Sequence, residues 1–124
     1  MQKFSLIAGS IFGAMSVMIG AFGAHALRNL LTQTNRLETF ETAVKYQFYH
    51  ALALLLVGLL CFHLDHAGMR WAAMCFVGGI LVFSGSLYIL CLTGVTWLGA
   101  ITPIGGTLMI IGWFSLLYAI IKSL

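Results

Sequence analysis

The sequence has one segment in which residue types that bind metals are grouped, His63-Leu64-Asp65-His66. Imidazole and carboxylate groups are ligands that divalent cations accept. However, three such groups in one short loop, with no fourth nearby, do not reproduce the spacing of a metal-binding motif. We therefore interpret the segment as a solvated loop and predict neither a metal nor another cofactor.

A third histidine, His50, stands inside an apolar segment, four residues after Tyr46. One helical turn advances about 5.4 Å, so His50 lies within the bilayer if Tyr46 marks its surface. An ionisable side chain at such a depth usually faces other helices and has a partner there. Two interpretations stay open: an interhelical hydrogen bond, with Ser86, Tyr88 or His25 as the partner, and a proton relay or ligand contact.

Other polar residues are expected in the same half of the membrane as His50, because the first and third loops lie on one side of a four-span chain. The candidate polar site comprises His25, Arg28, Glu41, Lys45, Tyr46, Tyr49, His50, Ser84, Ser86, Tyr88 and Thr102. The chain contains no phosphate-binding loop, nucleophile elbow or dinucleotide fingerprint. We therefore predict no catalytic residues.

The composition excludes a soluble protein. Of 124 residues, 61% are hydrophobic and 7% are charged, whereas about 25% of the residues in a soluble domain are charged. Cys61, Cys75 and Cys91 have no pair spacing, so no disulfide framework or zinc motif follows. The net charge of +3 comes from scattered basic residues, which does not indicate nucleic-acid binding. An integral membrane protein remains.

A membrane-spanning helix needs about 20 apolar residues. The predicted spans are residues 4–27, 46–62, 71–92 and 98–121. They predict an all-α, four-helix membrane bundle formed by a single domain, 1–124. The apolar run of the first span is longer than that of a signal peptide, which favours a retained helix. The two sides of the membrane each receive three basic residues, so the positive-inside rule leaves the orientation open.

The only sizeable polar segment precedes the second span. Asn35, followed three residues later by Glu38, is interpreted as a variant of a capping box. Apolar residues then recur on one helical face, which predicts an amphipathic helix over residues 35–45 that leads into the second span. Glu41 and Lys45 are spaced as an i, i+4 ion pair on this helix.

Small residues recur at helical spacing in three of the predicted spans and are candidates for helix packing. The glycines concerned are Gly9, Gly13, Gly20, Gly78, Gly85, Gly105 and Gly112. Packing within one chain and association between copies are both open for the stripe on the first span. Pro103 predicts either the first turn of the fourth span or a kink that frees carbonyl groups to line a cavity.

Four segments, residues 20–27, 40–52, 83–88 and 102–106, resemble the family called domain of unknown function 423. Their sequences are GAFGAHAL, FETAVKYQFYHAL, FSGSLY and TPIGG. This family includes bacterial inner-membrane proteins and the mitochondrial transmembrane protein 256. The resemblance implies a four-span protein of the bacterial inner membrane or its mitochondrial equivalent, and it implies no reaction.

Small size, glycine-rich helix faces and the lack of a catalytic constellation favour a non-enzymatic subunit, scaffold or assembly factor of a membrane complex. The alternative is an oligomeric transporter or channel for protons or a small solute, which uses the polar residues of one leaflet. A third hypothesis is a lipid-handling enzyme with His25 or His50 as the base. The expected partners are the lipid bilayer and either a second copy or another membrane protein.

Overall fold

The computed structural model describes all 124 residues, which form helices and no strand. The elements are α1 (Gln2–Ala24), α2 (Arg28–Gln33), α3 (Leu37–Leu60), α4 (Ala67–Gly79), a π-helical turn (Ile80–Ser84), α5 (Gly85–Thr93), a 3₁₀ turn (Thr96–Ala100) and α6 (Thr102–Ser123). The predicted all-α fold is confirmed.

Four segments are long and apolar enough to cross a membrane: Gln2–Ala24, Leu37–Leu60, Ala67–Thr93 and Thr96–Ser123. The shortest has 23 residues, and about 20 helical residues cross a hydrocarbon core of about 30 Å. The third span joins α4, the π-helical turn and α5 in one continuous path. Of the predicted amphipathic segment, residues 37–45 belong to α3, whereas Asn35 and Arg36 lie in the turn before it, so this helix is polar at its start and apolar afterwards.

Two helix pairs make up most of the structure. The first helix, α1, packs along α3, and α6 packs along α4 and the π-helical turn. The central contact is that of α3 with the third span, and the main core lies there, around Leu54, Val57 and Phe76. A smaller cluster, Leu31, Phe40 and Cys91, closes the end of the bundle near α2. Consequently α1 and α6 lie at the outside.

The small residues of α1 allow a close approach of α3 from the same chain. A Cβ atom on Gly9 would lie 2.8 Å from the carbonyl oxygen of Ala51, and one on Gly20 would lie 3.3 Å from Val44 Cγ1. Atoms at the first distance repel each other strongly, so only glycine fits there. The stripe of small residues is therefore covered by α3 and is not a free surface for a second copy.

The closest backbone approach in the fourth span is at Gly105. A Cβ atom there would collide with Phe83 N and would lie 2.7 Å from Phe83 Cα, inside the π-helical turn. Further along α6, a Cβ atom on Gly112 would lie 2.7 Å from the ring of Phe76. Backbone atoms cannot move aside as a flexible side chain does, so Gly105 fixes how closely α6 approaches the third span.

Three of the candidate packing glycines have more room. A Cβ atom would lie 4.0 Å from Ala51 Cβ at Gly13 and 3.5 Å from Leu108 Cδ1 at Gly78, which are ordinary contact distances. At Gly85 it would meet no atom within 4 Å. The helix periodicity alone thus does not separate glycines that are needed for close approach from those that are not.

The predicted cap formed by Asn35 and Glu38 is wrong. Asn35 has a φ of 57°, and Arg36, which precedes α3, makes no side-chain capping bond. Instead, the amide of Arg36 donates to Leu31 O and that of Asn35 donates to Thr32 O. These two bonds form the Schellman motif that ends α2, in which asparagine tolerates the left-handed conformation. Asn35 therefore ends one helix and does not begin the next.

Pro103 lies in the first turn of α6, directly after the 3₁₀ turn. Its missing N–H would have no partner in that turn in any helix, so the proline causes no kink. This agrees with the first of the two interpretations of the sequence. The third span ends at Gly94, whose φ of 75° and bond from its amide to Leu90 O are typical of a helix end.

Candidate functional site: hydrogen bonds between the spans

His50 is buried in α3, and both of its ring nitrogens have partners. Its Nδ1 atom lies 2.8 Å from Tyr46 O, and its Nε2 atom lies 3.0 Å from Nε1 of Trp113 in α6. An indole N–H can only donate a hydrogen bond, so Nε2 must accept it. It follows that Nδ1 carries the proton and donates to Tyr46 O, and the imidazole is neutral.

Aromatic rings surround the imidazole on the side of the third and fourth spans. The ring centroid of Phe76 lies 5.4 Å from that of His50, and Trp113 packs against both. His50 is 13 residues from the start of α3, or about 20 Å along the helix, which places it near the middle of the span. The partners considered from the sequence, Ser86, Tyr88 and His25, are wrong, because the donor is Trp113.

Gln47 joins three helices one turn before His50. It is 2% exposed. The hydroxyl of Tyr88 in α5 donates to Gln47 Oε1 at 2.6 Å, and Gln47 Nε2 donates to the carbonyl oxygen of Phe12 in α1 at 3.0 Å. The amide thus uses its acceptor toward one helix and its donor toward another. The sequence interpretation did not include Gln47, although a lone amide in an apolar segment is a recognisable signal.

Hydroxyl groups make the remaining bonds between the spans. Ser84, within the π-helical turn, donates to Ala43 O at 2.7 Å, and Ser5 donates to Leu54 O at 3.0 Å. Ser86 Oγ and Thr102 Oγ1 lie 2.6 Å apart and connect α5 with α6. Each of these side chains is buried. They satisfy one another or backbone carbonyls, as polar groups inside a membrane must.

The other candidate polar residues lie on the surface. They are His25, Arg28, Glu41, Lys45, Tyr46 and Tyr49. Glu41 and Lys45 line the same shallow groove beside α1, but no acidic oxygen lies within 4.0 Å of a basic nitrogen anywhere in the chain. The structure therefore separates the candidate residues into a buried bonded group and an exposed group, and does not bring them into one cavity.

The segment from His63 to His66 has a local structural role at its last residue. His66 precedes α4, and its Nδ1 atom accepts a hydrogen bond of 2.9 Å from the amide of Gly68. The His66 ring also packs edge-on against Tyr118 of α6, with the centroids 5.5 Å apart. His66 therefore caps the third span and fixes it against the fourth.

Four apolar helices, fastened by buried hydrogen bonds, define a multi-pass membrane protein. The chain belongs to the family described as protein of unknown function DUF423, whose model matches residues 19–106. The match includes all four segments on which the resemblance was based, and the resemblance is confirmed.

The chain aligns with similar membrane proteins over nearly the whole of both chains. It is 45% identical over 121 residues to a UPF0382 membrane protein of Staphylococcus aureus, with 98% of each chain covered. It is 46% identical to a UPF0382 membrane protein of Staphylococcus epidermidis, with 98% of each covered. The UPF0382 membrane protein YwdK of Bacillus subtilis is 42% identical over 124 residues, with 99% of this chain and 100% of the relative covered. No solved structure matches the chain.

Proposed function

We propose that the chain is a non-enzymatic subunit, scaffold or assembly factor of a protein complex in the bacterial inner membrane. The proposal depends on one observation: the buried polar side chains form hydrogen bonds between helices. His50, Gln47 and Ser84 each connect α3 to a neighbouring helix. In lipid, such bonds and close packing replace the hydrophobic effect as the forces that hold helices together.

The state of His50 supports a fixed connection rather than a relay. A proton carrier has to take up a proton at the ring nitrogen that is unprotonated in its neutral form. Here Nε2 accepts the indole N–H of Trp113, and Nδ1 donates to Tyr46 O. Protonation of Nε2 would replace its lone pair with a second donor, so the bond to Trp113 would be lost. A permanent neutral imidazole suits a structural role.

The outer helices present apolar surfaces on which a partner could pack. Ile11 and Val17 of α1 and Ile110 and Phe114 of α6 are exposed. The small residues of α1 are already covered by α3, so a partner would meet these larger side chains. Exposed apolar side chains also suit contact with lipid. The composition of the native particle therefore decides whether a protein partner or lipid covers these side chains.

A second candidate, a transporter or channel, is favoured by one specific feature. The third span contains a π-helical turn, Ile80–Ser84, at its centre. Such turns occur frequently at functional sites, because they widen the helix and change the direction of side chains. Glu41 and Lys45 would then lie near the entrance, at the exposed end of α3.

The experiment is the extraction of the tagged chain from its own membrane in a mild detergent, followed by native mass measurement and identification of every component. We expect a second membrane protein in fixed stoichiometry, absent from an extract of cells with the untagged chain. A particle that contains copies of this chain alone would contradict the proposal. Proton and solute flux in liposomes, with His50→Ala and Glu41→Gln, would then test the second candidate.

A further inference from the structure

A shallow groove runs along the contact of α1 with α3 and is lined by one face of α3. The lining residues of α3 recur every three or four positions, as Glu41, Lys45 and Phe48 do, so they share that face. Lys45 lines each of three adjoining parts of the groove, which have volumes of about 620, 140 and 260 Å³. The three parts therefore form one path along the helix.

The groove changes from polar to apolar along this path. Its outer end, beside α2, is lined by polar side chains that include Thr32 and Asn35. Its inner end, beyond Lys45, is lined by Phe48 of α3 and Val17 of α1 among others. A groove that is polar where the helices leave the membrane and apolar along the spans suits an amphiphilic molecule, whose head group would lie at the outer end.

Two charged side chains of this groove lie within the membrane-spanning segment of α3 and have no ion-pair partner. Glu41 and Lys45 are about 6 Å and about 12 Å along the helix from its first residue, Leu37. No acidic oxygen of the chain lies within 4.0 Å of a basic nitrogen. Charged residues in a span usually pair with an opposite charge. The groove therefore presents an unpaired anion near the membrane surface and an unpaired cation one turn deeper.

We propose that this groove binds one phosphatidylethanolamine molecule, with the ammonium group at Glu41, the phosphate at Lys45 and an acyl chain along Phe48. In this lipid the phosphate lies between the ammonium group and the acyl chains, so the order of its parts matches the order along the groove. The primary ammonium group also has N–H donors, which a carboxylate accepts in charge-assisted hydrogen bonds.

Other phospholipids match the two charges less well. Phosphatidylglycerol has no cation for Glu41, and its net negative charge would be repelled there. The quaternary ammonium group of phosphatidylcholine has no N–H to donate. The proposal does not depend on the scaffold function, because it concerns a lipid of the membrane and not a protein partner.

The test is native mass spectrometry of the purified chain with added phosphatidylethanolamine, phosphatidylcholine or phosphatidylglycerol of the same acyl chains. We expect one phosphatidylethanolamine molecule to stay bound to each chain at collision energies that remove the other two lipids. Equal retention of phosphatidylethanolamine and phosphatidylcholine, or stronger retention of phosphatidylglycerol, would overturn the proposal.

Two variants assign the parts of the head group. Exposed ion pairs contribute a factor of up to about five, so Glu41→Gln should weaken phosphatidylethanolamine binding by about twofold to fivefold and leave phosphatidylcholine binding unchanged. Lys45→Gln should weaken the binding of both lipids, because both have the phosphate. Both residues are exposed, so the helix content measured by circular dichroism should stay the same.

The matched control is Asp65→Asn, which removes one negative charge from an exposed residue in the loop after α3, at the opposite end of that helix from Glu41. It should leave the binding of phosphatidylethanolamine unchanged. Equal effects of Asp65→Asn and Glu41→Gln, or no effect of Glu41→Gln, would overturn the proposed site.

Discussion

The indole nitrogen of Trp113 lies 3.0 Å from Nε2 of His50, in the only side-chain hydrogen bond that joins α3 to α6. His50 is 5% exposed, whereas Trp113 is 45% exposed. The tryptophan therefore presents its ring to the membrane and its one polar atom to the interior. This orientation shields the imidazole from lipid and satisfies its remaining lone pair.

Replacement of Trp113 by phenylalanine should destabilise the protein, because an aromatic side chain stays in place while Nε2 of His50 loses its donor. Hydrogen bonds between membrane helices average about 0.6 kcal/mol and reach about 1.7 kcal/mol, so we expect a loss in this range. Reversible unfolding in mixed micelles measures it. The matched control is Trp71→Phe, since Trp71 is 65% exposed. An equal effect of the two substitutions would contradict the importance of the bond.

The protonation state of His50 can be measured directly. The geometry requires a proton on Nδ1 and a lone pair on Nε2, which are distinguished by the ¹⁵N chemical shifts of the imidazole in solid-state NMR. In Trp113→Phe, the shift of Nε2 should change more than that of Nδ1, because the bond from Nδ1 to Tyr46 O remains. A proton on Nε2 in the wild-type protein would show that the indole bond is absent.

Substitution of Gln47 should destabilise the protein more than removal of the Tyr88 hydroxyl that it binds. Gln47→Leu leaves the Tyr88 hydroxyl without its acceptor and removes the bond to Phe12 O, which keeps the bond donated by Ser16 Oγ. A buried polar group that loses its partner costs about 1–3 kcal/mol. Tyr88→Phe removes only the bond at Oε1. We therefore expect the larger decrease in the free energy of unfolding for Gln47→Leu. A smaller decrease than for Tyr88→Phe would be inconsistent with a bridge between three helices.

Two glycine substitutions give opposite expectations. Gly105→Ala would place a methyl group against the backbone of Phe83, and backbone atoms can relieve the overlap only if the helices separate. We expect a loss of more than about 1 kcal/mol, which exceeds the gain in helix propensity from glycine to alanine. Gly85→Ala meets no atom within 4 Å and should be neutral or slightly stabilising. Thermal unfolding of both variants in one detergent compares them, and the reverse order would contradict the packing of α6.

Much of the fold could be predicted from the sequence because the membrane restricts the possible structures. An apolar run of sufficient length has to be a helix, so four runs predict four spans. Local turns were harder to predict. Asn35 suits a helix start and a helix end equally well by residue type, and only its left-handed backbone and the bond from Arg36 to Leu31 decide between them.

The interior network could be predicted only in part. His50 was found because an ionisable residue in an apolar segment requires a partner, but the partner lies 63 positions further along the chain. Trp113 stands in a long apolar run and has no local feature that separates it from a tryptophan facing lipid. Likewise, the contact of Gly105 with Phe83 depends on how two helices cross, which sequence periodicity does not determine.

The most direct test of the claim that buried polar residues fasten the spans is a double-mutant cycle between His50→Ala and Trp113→Phe. The free energies of unfolding of the wild type, both single variants and the double variant give the coupling between the two side chains. We expect a coupling of about 1 kcal/mol, within the range measured for bonds between membrane helices. Effects that add to within about 0.3 kcal/mol, as for independent sites, would contradict the claim.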